Sequence, residues 1–253
     1  MTLITTPCRD REDVRAFFDR LAPDYRDLHG HAAKALRHRL RLIDTLMQGT
    51  GRDLLVEIGC GTGMHLFPLA QRFRKVHGTD LSPAMIARAE ALRRRHPESG
   101  RITLAVDPAE ELASVGTAKA DVVLCVGALE HMLQPEAVLR QVRRVLNPRG
   151  RFLCLTPNGE FLWYAWLAPR LGYATRHLST DRFFRTAELA DLLRGAGLRP
   201  EVIGFWSFVP RGDMPMFLAR LFTFLDGVGR GCGLSRLRGG LYCRAVPFAE
   251  IES

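Results

Sequence analysis

The stretch Leu54-Leu-Val-Glu-Ile-Gly-Cys-Gly-Thr-Gly63 decides the fold of this 253-residue chain. Its apolar residues and single acid predict a buried parallel strand that runs directly into a tight turn. Glycines at positions 59, 61 and 63 allow positive φ and let a ligand lie against the backbone, because they carry no Cβ. A helix over about 64–73 is expected next, with its first N–H groups pointing at the same place. The stretch therefore predicts a ligand site at the carboxyl end of a strand.

Asp80 follows Gly63 by seventeen residues and ends the apolar run 76–79. This position predicts that its carboxylate lies at the carboxyl tip of the neighbouring strand. Acids in the same place in nucleotide-binding α/β folds accept hydrogen bonds from a ribose diol. The glycine turn and Asp80 together indicate a nucleoside-containing cofactor.

The glycine spacing and Glu57 distinguish between two such cofactors. Dinucleotide sites favour G-x-G-x-x-G, whereas this turn runs G-x-G-x-G. A carboxylate at Glu57 would repel a pyrophosphate and attract a cation. S-adenosylmethionine carries a sulfonium and an ammonium and no phosphate, so the charges favour it over NAD. An NAD-dependent oxidoreductase remains as an alternative, but its usual glycine spacing differs from the one in this turn.

Four segments in this order resemble the class I S-adenosylmethionine-dependent methyltransferases, in particular the small-molecule group of the ubiquinone and menaquinone pathways. They are 56–63, 78–86, the stretch Asp121-Val-Val-Leu-Cys-Val-Gly-Ala-Leu-Glu-His131, and 144–153. The resemblance covers about residues 14–206. It implies an α/β fold with a doubly wound, seven-stranded, mostly parallel sheet, whose seventh strand is antiparallel and pairs with the sixth.

The resemblance also implies roles for residues around the predicted turn. Glu57, Gly59, Cys60, Gly61 and Gly63 would hold the methionine part of S-adenosylmethionine, and Asp80 the ribose. The other expected cofactor-binding residues are Leu81 and Met85 beside the adenine, Asp107 and Pro108 at its amino group, Val126 and Gly127 near the methyl group, and Tyr25 from an N-terminal lid. Two alternatives stay open: Asp107 as a turn residue, and Tyr25 as a hydrophobic anchor.

His131 is the candidate catalytic residue. It follows Glu130 directly after the fourth predicted strand, where an imidazole could remove a proton from an acceptor hydroxyl. The alternative is that the Glu-His pair is architectural. His29, His31 and His177 are other candidate bases, whereas His65 and His77 read as packing or helix-start residues.

The chain divides into an N-terminal helical lid, 1–50, and a methyltransferase domain, 51–253. Alternating strand and helix patterns fill the domain except at two insertions, about 157–185 and 207–240. Connections of this length are commonly lids or binding elements.

Residues 214–226 are apolar except for a narrow stripe that includes Arg220 and Thr223. Three interpretations compete: a lid over an apolar acceptor, which we favour, a peripheral membrane contact, or a homodimer contact. Arg230, Arg236 and Arg238 beyond the segment would suit an anionic surface.

The net charge is +9, from 36 basic and 27 acidic residues. Only three of the basic residues are lysine, and the basic residues as a whole are scattered over predicted helix faces. Nucleic acid is therefore not expected as a partner. No apolar run reaches the roughly 18 residues that span a bilayer, and no secretion signal is visible, so the expected location is cytoplasmic, with membrane association as an alternative. The six cysteines lack metal-binding spacing, and no metal is expected.

We expect methyl transfer to a small, apolar or lipid-like acceptor, at oxygen, with S-adenosylhomocysteine as the second product. Two alternatives are a cofactor-binding scaffold without transfer activity, and a methyltransferase that acts on RNA or protein.

Overall fold

A computed structural model describes residues 5–25, 32–207 and 216–248. His29, His31 and residues 214 and 215 of the apolar segment lie outside these ranges. Seven strands form one sheet in the order β3-β2-β1-β4-β5-β7-β6. The strands are β1 (Leu54–Ile58), β2 (Lys75–Asp80), β3 (Ile102–Val106), β4 (Ala120–Val126), β5 (Leu146–Pro157), β6 (Leu198–Trp206) and β7 (Gly240–Pro247). Only the β5–β7 and β6–β7 pairs are antiparallel, as predicted.

Eight α-helices accompany the sheet in the described part of the chain. They are α1 (Arg11–Leu21), α2 (Ala32–Leu46), α3 (Leu66–Leu69), α4 (Pro83–Arg93), α5 (Pro135–Val145), α6 (Ala168–Arg170), α7 (Thr186–Gly195) and α8 (Met216–Cys232). A π-helical turn, Trp163–Leu167, leads into α6.

The sheet is buried on both faces, which explains the near-continuous apolar runs of its central strands. Val56 and Val123 belong to a core with α5 and α7 on one face. Leu55 and Leu124 belong to a second core, with α2 and α3 on the other face. Glu57 therefore lies at a buried position inside a central strand.

The helix after the glycine turn is shorter than the sequence predicts. α3 begins at Leu66 rather than Met64, and a 3-10 turn over Ala70–Arg72 replaces its expected second half. Gly63 has φ +81°, which is incompatible with a right-handed helix, so the turn continues to His65 before the helix starts.

The N-terminal segment is attached to two distant parts of the chain. In α1, the Asp19 carboxylate accepts hydrogen bonds from the Ser82 hydroxyl and from the Ala84 amide at the start of α4. Before α1, the Thr6 amide donates to the His177 carbonyl over 2.8 Å. α1 is thereby held across the carboxyl ends of the strands.

The two long connections contain helices that pack on each other. Phe222 of α8 lies against Phe161 and Trp163, with ring centroids 5.1 and 5.9 Å apart. These residues form a small core separate from the two sheet cores. Among the described residues, no helix combines the length and hydropathy that crossing a bilayer demands.

Asp121 joins the starts of three strands and gives a prediction about stability. Its carboxylate accepts hydrogen bonds from the amides of Asp53 and Leu54, over 2.7 and 2.9 Å, and from Asn147 Nδ2 over 2.7 Å. Hydrogen bonds to a charged group contribute more than neutral ones, so Asp121→Ala should lower the free energy of unfolding by about 2–3 kcal/mol.

Urea unfolding followed by circular dichroism measures this change. Asp191→Ala is the matched control, because Asp191 has only an exposed pair with Arg194 and should change stability by less than about 0.5 kcal/mol. Equal losses in the two variants would contradict the role of Asp121.

Candidate functional site

A cavity of about 680 Å³ opens at the carboxyl ends of β1, β2 and β4. The chain runs outward from β1 to β2 and β3 on one side and to β4 and β5 on the other, so the cavity lies at the topological switch point where ligands bind in such sheets. Its wall consists of Arg11, Val14, Phe18, Tyr25, Gly59, Gly61, Asp80, Leu81, Met85, Asp107, Ala109, Glu110, Gly127, Ala128, His131, Met132 and Leu133.

The three glycines of the turn do different work. Gly59 has φ +64°, and a Cβ there would lie 2.5 Å from the Ala128 side chain. Gly61 has φ +53° and faces the ring of Tyr25, 3.5 Å from where a Cβ would stand. Gly63 instead packs on the ring of Phe67, 2.7 Å from the corresponding point, and does not line the cavity. The turn thus brings bare backbone to the ligand at Gly59 and Gly61.

Glu57 lies beneath this turn as a buried carboxylate with one unused oxygen. Its Oε1 is 3.2 Å from His65 Nδ1, whereas Oε2 is buried and has no hydrogen-bond partner among the described residues. An unpaired buried carboxylate oxygen is costly, and a cationic ligand would compensate it. Its charge therefore suits an ammonium-bearing cofactor, although Glu57 lies behind the cavity wall and is not part of it.

Arg39 of α2 brings a positive charge to the same end of the site. Its Nη2 donates to Met64 Sδ over 3.5 Å, and the negative charge of Glu57 acts on it. Partial burial nevertheless lowers the pKa of the Arg39 guanidinium below its usual value. A carboxylate and a guanidinium thus lie near each other beside the glycine turn, and a zwitterionic ligand would complement both charges.

Asp80 ends β2, as predicted, and its carboxylate binds two backbone amides. Oδ2 accepts from the Gly61 N–H over 2.8 Å, and Oδ1 accepts from the Ser82 N–H over 2.9 Å. Burial raises the pKa of Asp80 to about 6, and these two amides limit the rise. Each oxygen keeps a lone pair for a ribose hydroxyl.

Tyr25 lies over the turn, where its ring closes the cavity above Gly61. Burial raises the pKa of its phenol to about 12, and the nearby charge of Asp80 adds to the effect. The hydroxyl therefore stays neutral, and both the ligand and the anchor interpretations of Tyr25 are compatible with this position.

Asp107 reaches the cavity wall, but its oxygens are already engaged. They accept hydrogen bonds from the amides of Ala113 and Ser114, over 3.1 and 2.7 Å, and from the Ser114 hydroxyl. Oδ1 receives one hydrogen bond and keeps a lone pair, so the turn interpretation and the adenine interpretation of Asp107 are both compatible with this arrangement.

The remaining predicted residues divide between the wall and the interior. Leu81, Met85 and Gly127 line the cavity, whereas Cys60, Pro108 and Val126 do not belong to its wall. Cys60 turns toward β2, where its sulfur lies 2.9 Å from the place of a Cβ on Gly78. Burial raises the pKa of the Cys60 thiol well above its usual value, so this thiol is not a nucleophile at neutral pH.

His131 lies in the cavity wall and is held by a buried acid from the first insertion. Its Nδ1 is 2.7 Å from Asp181 Oδ1, and Asp181 Oδ2 accepts from the amides of His177 and Leu178. Burial lowers the pKa of His131, but the hydrogen bond to Asp181 and the charges of Glu130 and Asp181 outweigh it and leave the pKa raised. The pair resembles the imidazole–carboxylate arrangement of general bases.

Glu130, in contrast to its neighbour His131, does not belong to the cavity wall. It is buried, its Oε2 accepts from the Thr156 hydroxyl over 3.0 Å, and its carbonyl accepts from the Arg182 amide. Burial raises the pKa of Glu130. The Glu-His pair is therefore architectural at Glu130 and available for chemistry at His131.

Sequence reasoning missed three partners in this site: Asp181, Arg39 and His65. Asp181 lies in a long connection without periodicity, fifty residues from His131, so no spacing signal could find it. Arg39 was assigned to the solvated face of a helix, although it reaches the glycine turn. His65 was expected to be a packing or helix-start residue; it does directly precede α3, and its ring is in addition the hydrogen-bond partner of Glu57.

Comparisons with known proteins agree with this geometry. Residues 56–152 match a family model described as a methyltransferase domain. The chain is 30% identical over 182 residues to the ubiquinone biosynthesis O-methyltransferase of Xanthomonas euvesicatoria, covering 68% of this chain and 73% of that one. It is 35% identical over 155 residues to the enzyme of the same name from Cereibacter sphaeroides strain ATCC 17025, covering 58% and 60%.

The fold is also shared with a solved structure, magnesium protoporphyrin IX methyltransferase from Synechocystis PCC 6803 with bound S-adenosylhomocysteine. The TM-score is 0.64 at 18% identity, over 94% of this chain and 100% of that one. At this identity the likeness concerns the fold alone.

The raised pKa of Asp80 predicts a pH-dependent affinity for S-adenosylmethionine. A protonated Asp80 accepts fewer hydrogen bonds, so the affinity should fall as the pH drops through about 6. Asp80→Asn should bind about tenfold or more weakly at neutral pH and lose this dependence.

Calorimetric titration between about pH 5 and pH 8 measures both effects. Asp53→Asn is the control, because Asp53 is an exposed acid just before β1. An Asp80→Asn affinity that still falls near pH 6 would assign the titration to another group and contradict this role of Asp80.

Proposed function

The chain belongs to the class I S-adenosylmethionine-dependent methyltransferases, and on that premise we propose that it methylates an oxygen of a small, largely apolar acceptor. When bound, S-adenosylmethionine supplies an electrophilic methyl group on its sulfonium sulfur. The task of the protein is then to orient both reactants, exclude water and accept a proton.

The charged groups around the glycine turn are suited to the two ends of the cofactor. Glu57 Oε2 would accept from the ammonium group, and the Arg39 guanidinium would bind the carboxylate of the methionine part. Asp80 would accept from the ribose hydroxyls. Leu81 and Met85 would pack beside the adenine. Each group of the site then faces ligand chemistry of opposite polarity or matching hydrophobicity.

The chemistry of the acceptor follows from the rest of the wall. Apolar side chains from α1 and from the segment after β4 dominate it, namely Val14, Phe18, Ala128, Met132 and Leu133. Such a wall favours an apolar acceptor and keeps water from the reacting atoms. Orientation of two bound reactants can supply about 7 kcal/mol or more of catalysis.

The observation that carries the oxygen assignment is His131 held by Asp181 in this apolar wall. With Nδ1–H donated to the carboxylate, Nε2 keeps its lone pair and can accept a proton from an acceptor hydroxyl. A base in this position typically contributes about 10²–10⁴-fold. The two relatives named for O-methylation support the same choice of atom.

Transfer of an isotopically labelled methyl group tests the proposal directly. The purified protein is incubated with labelled S-adenosylmethionine and cell extract, and mass spectrometry identifies the labelled product. We expect label in a small apolar compound, with hydroxylated ubiquinone precursors as the first pure acceptors to try, since the relatives act in that pathway.

Two glycine variants form a matched pair for this experiment. Gly61→Arg should abolish binding and transfer, because the side chain would enter the cavity against Tyr25. Gly172→Arg should keep both, because Gly172 has the same left-handed backbone but open space around it. Cofactor binding without any labelled product would indicate a scaffold, and label in RNA or protein would overturn the small-molecule assignment.

The raised pKa of His131 predicts the pH profile of transfer. A general base works when neutral, so kcat/KM should rise with pH and level off only above the ordinary histidine value of 6.5. Asp181→Asn removes the group that raises this pKa, so the rise should shift to lower pH while the plateau falls.

His131→Ala should lower kcat by about 10²–10⁴-fold with little change in cofactor affinity. His177→Ala is the comparison, because that imidazole lies near His131, with ring centroids 6.0 Å apart, but does not belong to the cavity wall. A larger loss of kcat in His177→Ala than in His131→Ala would make His177, the other candidate base, the proton acceptor. If the midpoint of the kcat/KM against pH profile is the same in Asp181→Asn as in the wild type, Asp181 has only a structural role.

A further inference from the structure

The exposed face of α8 carries an apolar stripe that no described residue covers. Phe217, Leu221, Phe224 and Val228 are 69%, 48%, 68% and 38% exposed. Their spacing of four, three and four residues places them on one side of the helix, within an arc of about 60°. We refer to these four residues as the α8 stripe.

The opposite side of α8 fixes the orientation of this stripe. Ala219, Phe222 and Asp226 are buried there, and Phe222 packs on Phe161 and Trp163 of the first insertion. Because the helix already packs on the protein through this side, the stripe is not needed for intramolecular packing of α8.

Exposed apolar side chains are concentrated in this part of the molecule. Of the nine large hydrophobic residues that are exposed in the described ranges, seven lie in the two insertions. They are the α8 stripe together with Trp166, Leu171 and Leu234. Clusters of this kind mark interaction surfaces, whereas single exposed residues do not. None of the described residues of 216–238 lines the cavity, so the stripe is not the acceptor lid that the sequence favoured.

The charges around the stripe are positive. Arg220 lies directly beside the stripe on α8, and Arg170 and Arg236 are also exposed in the two insertions, whereas Arg230 lies on the opposite side of the helix. The acid within α8, Asp226, is buried and neutralised by Arg238 over 2.9 Å, with the Ser207 hydroxyl as a further donor. An anionic surface would complement these arginines.

The aromatic residues agree with a lipid surface. Phe217 and Phe224 project from the stripe, and Trp166 lies exposed with the Arg170 guanidinium 4.5 Å above its ring. Aromatic rings and arginines with long apolar stems are enriched where water meets hydrocarbon. A symmetric dimer through the stripe would instead bring the same arginines of two copies together, which is repulsive.

We propose that the α8 stripe and the arginines beside it dock the protein on an anionic lipid bilayer, with α8 lying in the plane of the interface. The helix has 17 residues and its buried side stays packed on the insertion core, so docking leaves the fold unchanged. This proposal is independent of the methyl acceptor, since it rests on the outer surface of the insertions.

Flotation of the full-length protein with vesicles tests it. The protein should float with vesicles of phosphatidylcholine and phosphatidylglycerol in equal amounts, and far less with phosphatidylcholine alone. Higher salt should weaken the binding, because it screens the arginines. The Phe217→Ser/Phe224→Ser variant should lose about tenfold or more of the affinity, whereas Phe248→Ser, an exposed phenylalanine elsewhere, should keep it.

A second pair of variants separates charge from apolar contact. Arg220→Glu should bind several-fold less to the anionic vesicles, and Arg149→Glu, an exposed arginine outside the insertions, should remain close to wild type. Circular dichroism and binding of S-adenosylmethionine confirm that each variant is folded.

Three results would overturn the proposal. They are absence of binding to the anionic vesicles, equal binding by the Phe217→Ser/Phe224→Ser variant, and a wild-type dimer in light scattering that this variant converts to a monomer. The last result would assign the α8 stripe to self-association.

Discussion

The structure depends on two carboxylates, Glu57 and Asp80, that are removed from bulk water at the ends of neighbouring parallel strands. Such groups are costly unless hydrogen bonds or a cation compensate them. Asp80 is compensated by the amides of Gly61 and Ser82, and Glu57 only in part by His65. A positively charged ligand could supply the interaction that Glu57 Oε2 lacks. The unpaired oxygen would then lower the stability of the unliganded protein and favour binding of the ligand.

The same interactions connect the turn to the rest of the site. The Asp80–Gly61 bond ties the loop after β1 to the end of β2, and Ser82, which donates to Asp80 through its amide, donates to Asp19 of α1 through its hydroxyl. α1 then supplies Val14 and Phe18 to the apolar wall. The glycine turn, Asp80 and the apolar wall therefore form one continuous network, and a change at Asp80 should reach α1.

The sequence predicted what local chemistry determines. The parallel core, the glycine turn and the position of Asp80 follow from apolar runs, missing Cβ atoms and chain order, whereas the antiparallel seventh strand was implied by the family resemblance. The sequence predicted too long a helix α3, because the left-handed backbone of Gly63, which delays the start of the helix, is not evident from the sequence. It left open whether Asp107 contacts the adenine or belongs to a turn, and the hydrogen bonds from Ala113 and Ser114 are compatible with both interpretations. The start of α3, in contrast, depends on backbone geometry that the sequence does not specify.

The acceptor side was the least predictable, because long-range contacts build it. His131 follows β4, Asp181 comes from the first insertion, and Thr6 bonds to His177 beside that acid. Each such contact joins residues far apart in sequence and leaves no periodic signal. The cofactor side, in contrast, is formed by two adjacent strand ends. The proposed cofactor contacts therefore depend on local sequence, whereas Asp181 and the α8 stripe depend on the two insertions.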